Sequence, residues 1–345
     1  MLKPPMTIML CGLVVTLMVT MGAVFTDLAE ADERKTIRFS APPVAQAVPL
    51  LRVVEDEKFH TSNMTAEFIP WRSPEQLHVL IANGEVDTVI AALPTAAVLY
   101  NKGIPCSVVA VYSAPLWIVA ADSATPEKQG GAVLQSFTML HDQEILLPFG
   151  PGNMPELALR VLADQSDVNL KIRYSGSVME AANLLRRGQA AYALLPEPAA
   201  TLVTMRNSQT TRIRKDFSLT KVWSEVFTDQ PAMATAALIM VGPLSQDSSA
   251  RVWVRKSFMD GAAWSEANPE AALLLAMTKY PEMGQQLRSS VENGEEVFRS
   301  LGLLDRQEGD TAARFMLEKI FALNPASVGG RLPDENIWGF DHAAP

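Results

Sequence analysis

The chain has 345 residues, 48% of them hydrophobic, enough for one large core or two medium ones, which excludes disorder as its main state. With 29 basic against 38 acidic side chains its formal charge is −9. Such an acidic surface repels nucleic-acid phosphates and gains nothing from counterion release, so no nucleic-acid partner is expected.

Residues 1–31 read as an export signal. Lys3 and the amino terminus form a short positive region, Met6 to Phe25 carries no charge, and Ala29-Glu30-Ala31 supplies the small-x-small pattern of a cleavage site. Cleavage there starts the mature chain near Asp32 and sends it out of the cytoplasm, to the periplasm in a two-membrane cell. Met6 to Phe25 is also long enough to span a bilayer, so an uncleaved anchor is the competing reading. Cys11 follows Leu10 with most of the apolar run after it, which argues against a lipoprotein. Removing the signal takes Cys11 away and leaves Cys106 alone, so no intramolecular disulfide is expected and stability must come from packing. Cys106 lies before an apolar run and reads as a buried, inert thiol. The four histidines, His60, His78, His141 and His342, show no His-x-x-x-His spacing. Neither a metal site nor a cofactor is expected.

The mature chain opens with an alternating strand, Thr36 to Ser40, a loop at Ala41-Pro42-Pro43 and a helical stretch, Val48 to Val54. A second strand, Ala66 to Pro70, leads through Trp71-Arg72 into Ser73-Pro74-Glu75-Gln76. Ser73 as N-cap, Pro74 at the first helical position and Gln76 three residues after the cap form a capping box. Leu77, Leu80 and Ile81 give that helix its apolar face, Gly84 ends it, and Val86 to Ala92 read as a buried strand closing at Pro94. Ala121 to Gln129, polar and followed by Gly130-Gly131, reads as a crossing between two halves. The unit then returns: a strand at Ile172 to Tyr174, a capping box at Ser177 and Glu180, an apolar face of Ala181, Leu184 and Leu185, a stop at Gly188, and a strand Ala191 to Leu195 ending at Pro196. Arg206 to Lys215 reads as solvated surface. Beyond it Val252, Phe258, Met259 and Trp264 mark a helix, and Asn268-Pro269-Glu270 the capped start of another running to Tyr280.

The serine-to-glycine spacing is the same in both units, from Ser73 to Gly84 and from Ser177 to Gly188. Two α/β lobes, each with its own sheet and crossover helices, leave this trace; so do two ordinary βαβ units within one sheet.

Several stretches together resemble the nitrate, taurine and aliphatic-sulfonate branch of ABC-transporter substrate-binding proteins, which includes the thiamine-precursor binders. They are Ile81-Ala82-Asn83-Gly84-Glu85-Val86-Asp87, Leu185-Arg186-Arg187-Gly188-Gln189-Ala190 with Leu195-Pro196-Glu197-Pro198, and Trp264-Ser265-Glu266-Ala267-Asn268-Pro269-Glu270-Ala271-Ala272. The tail Asn324 to Asp334 looks like a pattern in some members. The resemblance implies an α/β fold of the type II periplasmic-binding-protein kind: a two-lobed clamshell, each lobe a mixed sheet flanked by helices. It implies residues 32–120 as the first part of lobe 1, 121–225 as lobe 2 and 226–345 as the helix-rich return to lobe 1. It further implies a monomeric, non-enzymatic receptor that closes on a small-molecule ligand and delivers it to an ABC permease. No nucleophile, base and orienting group stand out as a set.

Ligands of α/β lobes gather at the carboxyl ends of strands, where helix amino-termini point free N–H groups. Five segments meet that condition: Ser40 to Ala45, Trp71 to Ser73, Leu93 to Thr95, Gly150 to Met154 and Ser175 to Ser177. The expected ligand-binding residues are Ser40, Pro42, Trp71, Arg72, Pro94, Thr95, Gly152, Asn153, Ser175 and Glu197. In Phe149-Gly150-Pro151-Gly152-Asn153 the two glycines permit a tight turn whose amides suit an anion; an ordinary turn into a helix is the alternative. Arg72 would clamp a carboxylate or sulfonate with two hydrogen bonds, or lie on the surface beside a half-buried Trp71. Glu197 would pair with a ligand amine, or brace the hinge by accepting backbone hydrogen bonds. A small organic anion, sulfonate- or taurine-like, fits these donors. The apolar, proline-rich cleft segments fit a bare inorganic anion such as nitrate less well. A thiamine-precursor-like heterocycle, a membrane-anchored ligand sensor and an enzyme on the same fold are the competing readings.

Overall fold

The computed structural model describes residues 35–61, 64–121, 124, 132–205, 212–290, 298 and 301–339. The expected signal segment and the glycine pair Gly130-Gly131 lie outside them.

In chain order the first half runs β1 (Lys35–Ser40), α1 (Val48–Glu55), β2 (Met64–Phe68), α2 (Pro74–Ala82), β3 (Thr88–Ala92), α3 (Leu93–Asn101) and β4 (Cys106–Tyr112). There follow β5 (Leu116–Ala121), α4 (Val133–Thr138), β6 (Glu144–Leu147), α5 (Met154–Gln165), β7 (Lys171–Tyr174) and α6 (Val178–Arg186). Next come β8 (Tyr192–Pro196), α7 (Ala199–Met205), β9 (Ile213–Ser218) and α8 (Leu219–Val226). The last part holds β10 (Ala236–Val241), α9 (Ser248–Ala267), α10 (Pro269–Lys279), α11 (Pro281–Ser290) and α12 (Arg306–Leu323).

These strands make two five-stranded sheets, ordered β2-β1-β3-β10-β4 and β7-β6-β8-β5-β9. Each is mixed in the same way. In the first, β1 runs parallel to β2 and β3 while β10 runs antiparallel to β3 and β4. In the second, β6 runs parallel to β7 and β8 while β5 runs antiparallel to β8 and β9. The two copies read from sequence thus belong to two lobes, not to one sheet. Ser73 Oγ accepts the Gln76 amide at 3.2 Å and Ser177 Oγ accepts the Glu180 amide at 3.1 Å. Gly84 and Gly188 end their helices at φ 65° and 66°, a left-handed turn that other residues enter only with strain. The strands that follow, β3 and β8, hold equivalent places in the two sheets.

The crossings fall elsewhere than the polar stretch at Ala121–Gln129. Strand β5 pairs wholly within the second sheet, so the chain crosses at Ser113-Ala114-Pro115 and returns through 227–235. The expected division at residues 120 and 121 is corrected accordingly. Thr235 ties the two crossings together. Its amide donates to Tyr112 O at 2.8 Å, its hydroxyl oxygen accepts the Ala114 amide at 2.8 Å, and its carbonyl accepts the Leu93 amide at the head of α3. Gly302 lies alongside: its carbonyl accepts the Ser113 amide at 2.7 Å, and a Cβ there would stand 2.3 Å from Ser113 O. Only glycine lets the chain approach so closely.

Other expectations shift for local reasons. Ile213 to Lys215, the end of the stretch read as solvated surface, begin an edge strand that runs to Ser218, with Ile213 buried. Asn268 does not cap α10; its Nδ2 donates to Trp264 O and so closes α9 instead. Burial pushes the Cys106 thiol up to about 12, which keeps it inert. The tail at 324–334 packs on α3, where Asn101 Nδ2 donates to Val328 O and Arg331 O and the Tyr100 hydroxyl meets Asp334. One apolar cluster spans both lobes. It joins Val111 of β4 and Met316 of α12 to Leu157 of α5 and Trp223 of α8.

Candidate functional site

Strand direction fixes which ends of the lobes face each other. Strands β1, β2, β3 and β4 run the same way, and β4 leads straight into the first crossing, so the carboxyl ends of all four lie at the crossing side. Strand β5 leaves that crossing, and β6, β7, β8 and β9 run opposite to it, so their carboxyl ends return to the same place. The backbone confirms the closeness: the Glu197 amide at the end of β8 donates to Pro115 O at 3.2 Å. The loops after β1, β2 and β3 therefore oppose those after β6, β7 and β8 across an interlobe cleft.

Each of these loops starts a helix, and the first amides of a helix need acceptors. Ser73, Asn153 and Ser177 cap α2, α5 and α6 through their own side chains. Glu197 Oε2 accepts the Thr201 amide of α7 at 3.2 Å and its hydroxyl at 2.9 Å. Two helix starts differ. The short 3-10 turn Ala45–Ala47 that leads into α1 follows Val44, and α3 follows Ala92; neither has a side-chain cap. Val44 and Ala92 have no polar side chain to offer. Both starts are at the ends of neighbouring strands, β1 and β3, and Ala45 and Ala96 are buried. The Leu93 amide goes to Thr235 O and Pro94 has none, so the uncapped amides of Thr95 and Ala96, with those of Ala45 and Gln46, converge on one corner of lobe 1, a place for a negative or strongly accepting group.

Five expected residues gather at that corner. Ser40 is fully buried and its hydroxyl donates to Ile69 O at 2.6 Å, so it holds the β1 and β2 loops together. Pro42 is half-buried in the loop, and the half-buried Trp71 lies next to it, its amide donating to Ala41 O at 3.2 Å. Pro94 occupies the first turn of α3, where it has no N–H to lose, and Thr95 follows half-buried. Arg72 does not join them. Its exposed guanidinium turns to Glu282 of α11, with Nε 2.9 Å from Oε2.

Lobe 2 brings Gly152, Asn153 and Ser175 to the opposite face, with the Ser175 amide bonded to Leu147 O at the end of β6. The glycine turn holds an anion, and that anion is the chain's own Glu156. Its Oε2 accepts the Gly152 amide at 2.7 Å, so the turn differs from the open anion nest expected of it. Glu197 braces the crossing: besides capping α7, its Oε1 meets Lys215 Nζ at 2.5 Å, so both oxygens already have partners within the chain. Phe149 and Tyr174, at the ends of β6 and β7, keep 42% and 39% of their surface exposed. Tyr174 was not singled out from sequence, nor was Glu156, because their relation spans two elements. The bare helix starts at Ala92-Leu93-Pro94 and Val44-Ala45 were visible as starts lacking Ser, Thr, Asp or Asn.

Among the described residues no cluster of three or more His, Cys, Asp or Glu could hold a metal ion, and no helix is long and apolar enough to cross a membrane.

No protein-family model matches the chain, and no curated protein matches its sequence. Solved structures do match. An ABC transporter protein from Parabacteroides distasonis superposes with TM-score 0.68 at 19% identity, covering 88% of this chain and 98% of the other. The periplasmic aliphatic sulphonate binding protein SsuA from Escherichia coli gives 0.63 at 12% identity, over 88% and 96%. The chain has the fold of the two-lobed periplasmic binding proteins. The periplasmic nitrate-binding protein NrtA from Synechocystis PCC 6803 is a further neighbour, with TM-score 0.59 at 11% identity over 85% and 82%. The last two of these neighbours are periplasmic binding proteins, one for aliphatic sulphonates and one for nitrate. Identity this low establishes the fold and leaves the ligand to the site itself.

Proposed function

We propose that this protein is a monomeric, extracytoplasmic solute-binding protein that captures a small organic anion between its lobes and passes it to an ABC permease. The observation that carries the reading is the pair of uncapped helix starts after β1 and β3, in a cleft whose other helix starts are all capped. The ligand carries a sulfonate or carboxylate; the amine of a taurine-like zwitterion would have to share Glu197 with Lys215 and Thr201. Lobe closure would turn on the crossings 113–115 and 227–235, with Thr235 joining them to the head of α3, so that a ligand seated on α3 acts next to the hinge.

A thermal-shift panel of alkanesulfonates, carboxylates, nitrate and pyrimidines tests it. An anion at a hundred times its dissociation constant stabilises the protein by about 2.7 kcal/mol. Isothermal titration of that anion into Arg72→Ala is expected to stay within a few-fold of wild type, because Arg72 is exposed and engaged by Glu282. A panel in which only neutral pyrimidines shift the protein would refute the anion reading.

A further inference from the structure

Glu156 is buried, with 3% of its surface exposed, at the cleft edge of lobe 2. A carboxylate so placed must be fully hydrogen-bonded. Its Oε2 takes the Gly152 amide at 2.7 Å, and its Oε1 takes Arg160 Nε at 2.6 Å and the Tyr174 hydroxyl at 2.8 Å. A glycine-turn amide, a guanidinium and a phenol are the donors a protein assembles for an oxyanion. Burial alone would raise the pKa of this carboxyl; the bonds from Arg160, Gly152 and Tyr174 outweigh burial and hold it below the usual carboxylate range. The group is therefore an ionised occupant at neutral pH. Tyr174, which bonds it, and Phe149, three residues before Gly152, are both exposed.

We propose that Glu156 is a built-in anion that sets the polarity of the cleft: it fills the oxyanion site of lobe 2, so the ligand's negative group is held by lobe 1, while Phe149 and Tyr174 meet the ligand's apolar body. The orientation of the ligand rests on the solute-binding reading above; the occupied oxyanion site does not. A free anion approaching the turn meets a fixed carboxylate and no free Gly152 amide. The ligand class this selects is an organic anion with one charged end and an apolar or ring-bearing body, in preference to a compact ion charged on all sides.

Removing the carboxylate should make the site available to an outside ion, and sulfate serves as the probe because it has no body. Melting temperatures of wild type, Glu156→Ala and Glu156→Ala/Arg160→Ala are compared in sodium sulfate and in sodium chloride of equal ionic strength. Sulfate stabilises proteins in general, so the wild type supplies the baseline. Glu156→Ala is expected to gain about 2 °C or more beyond that baseline, and the added Arg160→Ala change to remove the gain. If Glu156→Ala folds only in sulfate, the proposal is upheld. Glu156→Gln keeps the side-chain volume and is expected to show a smaller gain of the same sign. No sulfate gain over wild type in either single variant overturns the proposal. Because sulfate at the lobe 1 corner acts alike on wild type and variants and so falls within the baseline, failure of this test would leave the solute-binding reading standing, and failure of the ligand panel would leave this one standing.

Discussion

Replacing Trp223 by alanine is expected to cost about 3–5 kcal/mol, the range for removing a fully buried large aromatic side chain. Trp223 has no exposed surface, and its Nε1 donates to Gln230 O at 3.0 Å. Its ring lies 4.5 Å from Phe227 and 6.0 Å, edge on, from Phe315. The first two belong to α8 and the return crossing, whereas Phe315 belongs to α12, which packs on β4 and α3 of lobe 1 and on α5 of lobe 2. The indole therefore helps join the lobes behind the cleft. Urea unfolding of Trp223→Ala should show the lower midpoint and a transition broadened or split as the lobes lose their common strut. A midpoint within 0.5 kcal/mol of wild type, converted with the wild-type slope, would contradict this packing.

The second large effect concerns binding and has the opposite sign on stability. Ala92 precedes α3 in an extended conformation, φ −56° and ψ 140°, and offers the helix no cap. Ala92→Asp supplies one. Placing a capping carboxylate where alanine stood should stabilise the unliganded protein by about 0.5–2 kcal/mol. The same carboxylate occupies the amides reserved for the ligand and repels its charge. A buried charge-assisted contact of this kind is worth about 2–5 kcal/mol, so affinity for the anion should fall about 30-fold to a few thousand-fold. Ala92→Asn, which caps without charge, should lose less. A stabilised Ala92→Asp protein that binds as tightly as wild type would remove the α3 start from the site.

What sequence made legible was local. The two capped helices were readable because the cap, the third helical residue and the terminating glycine lie within one short segment, and each acts through its own backbone. The bond from Thr201 to Glu197 was half foreseen for the same reason, as the two are one helical turn apart. The first crossing was hidden because Ser113-Ala114-Pro115 separates two apolar strands with no run of polar residues to mark it. Arg72 was left from sequence between a ligand clamp and a surface arginine beside Trp71, because its partner Glu282 is 210 residues away, beyond any local pattern. Glu156 was invisible as a site residue because Tyr174 reaches it only once β6 and β7 pair.

Hydrogen exchange on the mature protein, with and without the alkanesulfonate or carboxylate that gives the largest thermal shift, tests most directly where the ligand sits. The two uncapped starts predict new protection at the amides of Ala45, Gln46, Thr95 and Ala96, with the turn at 150–153 protected less. Protection centred on Gly152 and Asn153, with Thr95 and Ala96 exchanging as before, would contradict the account.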